Sequence, residues 1–140
     1  MAGRMQGPPQ LYASLLVAIG GGVGALMRYQ LGRFMTHVLG VKAVMTFPWA
    51  TLTANVLGSL AMGLLAGYLA RHGAGQGEQL RLAVGVGLLG GFTTFSAFSL
   101  ELMLLTERGQ TSYAFLYAAI SLLAGLSALY IGLIIMRLQG

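Results

Sequence analysis

Four long apolar stretches separated by short polar connectors organise the 140-residue chain. They cover residues 11–34, 47–70, 80–106 and 112–136. Each reaches the roughly 20 residues that a helix needs to cross the hydrocarbon core of a bilayer. The connectors HVLGVKAVMT, RHGAGQGEQ and ERGQT carry most of the charge, and Pro8, Pro9 and Pro48 stand at or just before helix starts. A missing amide hydrogen costs little there. The segment MAGRMQGPPQ leads into the first apolar run without a small-residue cleavage site, and that run is too long for a signal-peptide core, so it is expected to be a retained helix. The pattern predicts an all-α integral membrane protein, a single domain over 1–140 with four transmembrane helices and no soluble module.

Composition supports this. The chain is 56% hydrophobic and 8% charged, against about a quarter charged for a soluble domain. Twenty-two glycines suit transmembrane helices. The sequence pI of about 10.1 comes from basic residues scattered singly, without the patch or stripe that nucleic acid requires. No cysteine is present, which excludes disulfides and thiolate ligands. His37 and His72 stand alone near connectors, as interfacial side chains rather than metal ligands. The cluster GGGVGA at 20–25 follows no strand and precedes no lysine, so it is read as helix packing rather than phosphate binding. Gly20/Gly24 and Gly63/Gly67 have the spacing of close helix–helix contacts.

The third stretch departs from the rest. GGFTTFSAFSLE, residues 90–101, places glycines, hydroxyls and a carboxylate at membrane depth. A glycine costs about 1 kcal/mol relative to alanine inside a helix, so Gly90-Gly91 near the middle of the span predicts a helix broken there. Broken helices persist in membranes only where protein or a water-filled cavity satisfies the freed backbone groups. Close packing through small residues is the competing role for the glycine pair. The adjacent Thr93-Thr94 favours a break, because hydroxyls and freed carbonyls together make an ion site.

Other polar positions within the spans are few. An intramembrane ionisable group is a candidate functional residue. Arg28 either snorkels to the headgroups or draws anions into a vestibule. Asn55 in TLTANVLGSL must find hydrogen bonds in the protein or line water, as a pathway amide or as a bridge between helices. Tyr113, Tyr117, Ser121 and Gly125 recur every four residues and share one face, as packing or as a polar track. Phe95 and Phe98 also share a face. They fill a core, or they turn the positive edges of their rings to an anion. Glu101 reaches either the interface or a pairing partner.

With four spans, Arg4, Arg71, Arg81 and Arg137 fall on one side of the membrane, and Arg28, Arg33, Lys42 and Arg108 on the other. Orientation follows the Lys/Arg excess in cytoplasmic loops, and this balance gives no instruction. Copies inserted in both senses could pair as an antiparallel dimer. Four short helices do not readily enclose a path alone, so a two-fold homo-oligomer is the expected assembly for a transporter.

The chain resembles the Fluc/CrcB family of fluoride channels along essentially its whole length. The resemblance rests on GGxTTFSxFS at 90–99, GGVGALMRY at 21–29 and the asparagine of TLTANVLGS. It implies an antiparallel, dual-topology homodimer in the bacterial inner membrane that lets fluoride leave the cell passively. It also implies a structural sodium ion on the dimer axis, held by the carbonyls of Gly90 and Thr93 from each subunit. The implied fluoride path uses Asn55 as pore amide, Phe95 and Phe98 as ring-edge pair, Arg28 as vestibule base, and Tyr117 and Ser121 as a hydroxyl track beside the Thr94 hydroxyl. Gly125 stands where that track more usually has a further hydroxyl, a place that a water or a neighbouring hydroxyl could fill.

Two other functions use chains of this size and hydropathy. A small multidrug or cation exporter would carry a carboxylate in its first span, and here the acidic residues are Glu78, Glu101 and Glu107. A non-transporting membrane scaffold would use the polar residues only to hold helices together. No nucleophile, base and orienting group stand at recognisable spacing, so no enzyme is expected.

Overall fold

The computed structural model describes residues 8–72 and 77–139. Four of its helical stretches are long and apolar enough to cross a membrane: Gln10–Leu39, Trp49–His72, Gly77–Glu107 and Thr111–Leu138. The first (α1) runs to Leu39, past the expected end at Phe34, because the apolar residues beyond Phe34 continue the helix up to Gly40. Gly40 stops it with a φ of 81°, a conformation that few side chains tolerate. The connector that follows holds a short helix α2 (Val41–Thr46), and Pro48 precedes α3 (Trp49–His72), as its position in the sequence predicts. Arg4 and residues 73–76 of the glycine-rich second connector lie outside the described residues.

The third span is composite. It opens with α4 (Gly77–Leu80), widens into a π-helical segment over Arg81–Leu89, and closes its first half with α5 (Gly90–Phe92). Thr93 and Thr94 then leave helical geometry, with φ/ψ of −82°/157° and −152°/123°, before α6 (Phe95–Glu107) resumes. The interruption expected near the middle is present, but on different residues. Gly90 is itself helical, at φ −62° and ψ −37°. The backbone leaves the helix at two β-branched residues, the second of which caps the next helix. Thr94 Oγ1 accepts a hydrogen bond from the Ala97 amide at 3.2 Å, the N-cap arrangement.

The role of Gly91 is close packing. A side chain there would overlap the Gly21 carbonyl of α1, and side chains at Gly20 and Gly24 would overlap the carbonyls of Ala83 and Leu88. The first span therefore lies directly against the first half of the third, backbone to backbone. A second pair forms in the same way: Gly63 of α3 meets Leu129, and Gly132 of α7 (Thr111–Leu138) meets Leu60. After the interruption the third span changes partner, since α1 packs on the π segment and α5 whereas α6 packs on α7.

Few side chains are fully enclosed. The core cluster of Phe47, Leu105, Ala114 and Tyr117 joins the start of α3 to α6 and α7. Large apolar side chains such as Leu11, Phe115 and Leu138 face outward, as expected for helices in lipid.

Gly24→Ala is expected to lower the thermal unfolding midpoint measurably in detergent, by overpacking worth about 1–3 kcal/mol. Gly22→Ala, which meets nothing within 4 Å, should leave the midpoint unchanged.

Candidate functional site

The interruption at Thr93–Thr94 leaves backbone groups without helical partners, and side chains from other spans answer several of them. Asn55 of α3 makes a two-point clamp on Thr94. Its Oδ1 accepts from the Thr94 amide at 2.8 Å, and its Nδ2 donates to the Thr94 carbonyl at 3.1 Å. Asn55 thus bridges two spans, and a second Nδ2 hydrogen is left for another acceptor. The Thr93 amide and hydroxyl both donate to the Leu89 carbonyl, at 2.9 and 2.8 Å. Gly58 makes room for the Thr93 methyl, which a side chain at 58 would overlap. Arg28 Nε donates to the Gly91 carbonyl at 3.3 Å, so this guanidinium is tied to the third span. Among the described residues, no backbone hydrogen bond outside the helices reaches the carbonyls of Gly90, Phe92 or Thr93.

Beside this segment lies a groove of about 410 Å³. Asn55, Thr94, Phe95, Phe98 and Ser121 all border it, together with Thr93, so the fold brings most of the expected pathway residues to one place. Every polar side chain on its border is neutral. Ser121 Oγ is buried without a hydrogen-bond partner. Phe95 is 79% exposed, so the groove is open along that edge of a single chain. The rings of Phe95 and Phe98 lie 5.8 Å apart at 37°.

A second cavity, of about 990 Å³, opens between α1, α2 and the start of α3. Arg28, Arg33, His37 and Arg108 border it, with Thr51 and Glu101 on the inner side. The excess of cationic side chains makes it suited to gathering anions. His72 lies elsewhere, stacked on Tyr68 at 4.5 Å.

Glu101 stands between the two cavities and has a partner on each oxygen. Thr51 Oγ1 donates to Oε1 and the Tyr117 hydroxyl donates to Oε2, both at 2.7 Å. Tyr117 borders neither cavity. It is fully buried, with its ring 5.1 Å from Phe98 and 5.5 Å edge-on from Phe47. Of the four-residue series on α7, Tyr113 faces outward, while Ser121 and Gly125 lie nearer the groove. The contribution of Thr51 was missed from the sequence. One threonine near a helix start carries no signal that a carboxylate fifty positions on will meet it.

Four membrane-length helices around a neutral groove and a cationic cavity define a multi-pass membrane protein with an internal polar site. Residues 15–133 match the family described as CrcB-like protein, Camphor Resistance (CrcB). Proteins named "Fluoride-specific ion channel FluC" are similar to nearly the whole chain. That of Erythrobacter litoralis is 55% identical over 93% of this chain and 96% of its own. That of Novosphingobium aromaticivorans is 58% identical over 89% and 96%, and that of Caulobacter vibrioides 45% identical over 88% and 94%. The chain belongs to the CrcB-like family.

Glu101→Leu should leave the Tyr117 and Thr51 hydroxyls unpaired, at about 1–3 kcal/mol for each buried group. Thermal unfolding in detergent should register this loss, and Glu101→Gln, which keeps an acceptor, should show a clearly smaller one.

Proposed function

We propose that the protein is a fluoride-selective ion channel of the inner membrane, giving passive fluoride efflux and so fluoride resistance. The observation that carries this reading is the groove itself. It sets two phenylalanine rings beside a spare amide hydrogen and an unpartnered serine hydroxyl, with no formal charge among them. The names of the relatives agree with it. Fluoride is small and strongly hydrated, so its water shell must be exchanged for several donors. Neutral donors and positive ring edges hold an anion well enough to admit it and weakly enough to release it.

The order of groups suggests a route. Anions gather in the basic cavity around Arg28 and pass the Thr51–Glu101–Tyr117 wall. They then enter the groove at Phe98, where Asn55, Thr94 and Ser121 offer donors. Because the groove is open at Phe95, a second copy of the chain is the natural missing wall. The even split of basic residues between the two sides is compatible with an antiparallel, dual-topology homodimer.

The reading includes a structural sodium ion at the third span. Hard carbonyl oxygens suit sodium, and the carbonyls of Gly90, at the end of the first half, and Thr93, at the interruption, would hold it. Such an ion supplies fixed positive potential without a titratable side chain. A cation exporter is disfavoured because α1 contains no carboxylate. A scaffold protein would show no flux.

Purified protein in liposomes should release fluoride but not chloride, read with ion-selective electrodes. Phe95→Ile and Phe98→Ile should each cut fluoride efflux by at least about tenfold, the loss of about 1.4 kcal/mol of stabilisation along the path. Wild-type rates in both would remove the ring-edge role. Full exchange of sodium for N-methylglucamine should lower the thermal midpoint, whereas an unchanged midpoint would speak against a structural sodium ion.

A further inference from the structure

Hydroxyl side chains in these helices commonly turn back on their own backbone. Ser14, Thr36, Thr93, Ser99 and Thr106 each donate to the carbonyl four residues earlier, at 2.8–2.9 Å. That bond satisfies a hydroxyl locally and leaves it nothing to give. Three hydroxyls on the border of the groove do otherwise, among them that of Thr94, which accepts from the Ala97 amide. Ser121 Oγ is buried without a partner, and Ser59 makes no such return bond among the described residues.

The position of Ser59 is fixed from both sides. It lies one turn beyond Asn55 on α3, so the two share a face. Opposite it on α7, Gly125 lies one turn beyond Ser121. A Cβ added at Gly125 would come 3.6 Å from Ser59 Oγ, an ordinary contact. The backbone contacts of Gly63 with Leu129 and of Gly132 with Leu60, on the neighbouring turns, hold α3 and α7 in this register. On this face of α7 the hydroxyl series therefore stops at Ser121, and the hydroxyl opposite Gly125 comes from α3.

We propose that Ser59 is a further anion-coordinating residue. Its hydroxyl, with that of Ser121, forms a donor station past Asn55 and takes the place that a side chain at 125 would occupy. The assignment rests on the fluoride-channel reading. A dehydrated halide needs successive donors along its path, and a pair of free hydroxyls from facing helices provides two without a charge that would trap the ion.

The test is fluoride efflux from liposomes holding wild type, Ser59→Ala, Gly125→Ser and the double variant, with the thermal midpoint of each in detergent. Ser59→Ala should reduce the flux about tenfold with an unchanged midpoint. Adding Gly125→Ser to Ser59→Ala should restore most of the flux by returning a hydroxyl from the opposite helix, with Gly125→Ser alone as the reference for the added side chain. Undiminished flux in Ser59→Ala overturns the assignment. So does a loss that Gly125→Ser leaves unrestored, or a fall in midpoint that marks the hydroxyl as structural. A wild-type protein silent to fluoride would instead remove the channel reading itself, before any variant is compared.

Discussion

Inside a bilayer no water answers a backbone group that leaves a helix, and each unpaired one costs several kcal/mol. The third span nevertheless interrupts itself at Thr93–Thr94, and the clamp from Asn55 makes this tolerable. One primary amide replaces both a lost acceptor and a lost donor on Thr94. The Thr94 hydroxyl caps the helix that follows, and Arg28 takes the Gly91 carbonyl. With these groups paired, the carbonyls of Phe92 and Thr93 receive no backbone hydrogen bond outside the helices among the described residues. An unclamped break would refold into continuous helix or be lost to lipid.

The interruption also decides how the spans pair. A continuous third helix would follow one neighbour along its length. Here its first half follows α1, where glycines let the backbones touch, and its second half crosses to α7. The space left beside the crossover is the neutral groove. The basic cavity lies towards the α1–α2 side, and the Phe98–Tyr117–Glu101 contacts form the wall between them. The break, the two cavities and the wall are one construction.

Much of this was legible from residue order. Hydropathy located four spans, and the asparagine, the paired threonines and the paired phenylalanines marked the polar segment. The helix ends were less legible, because residues beyond Phe34 are apolar enough to extend α1 and to form α2 within a connector. The break was placed at the glycines for their low helix propensity, and they proved helical. In a membrane the absence of a side chain serves close approach more readily than disruption. The sharper signal was Thr94, a capping residue three positions before Ala97. Glu101 had no explanation until Thr51 and Tyr117, from two other spans, were found at its oxygens.

Residue order by itself determined the number of spans, their membrane habitat and the few polar positions within them, because burial in lipid and local periodicity act along the chain. Tertiary structure decided where the third helix opens, that Asn55 clasps the opening, and that Ser59 of α3 faces Gly125 of α7. Those outcomes depend on which faces of distant helices meet, a matter of backbone contacts between glycines that no local pattern reports.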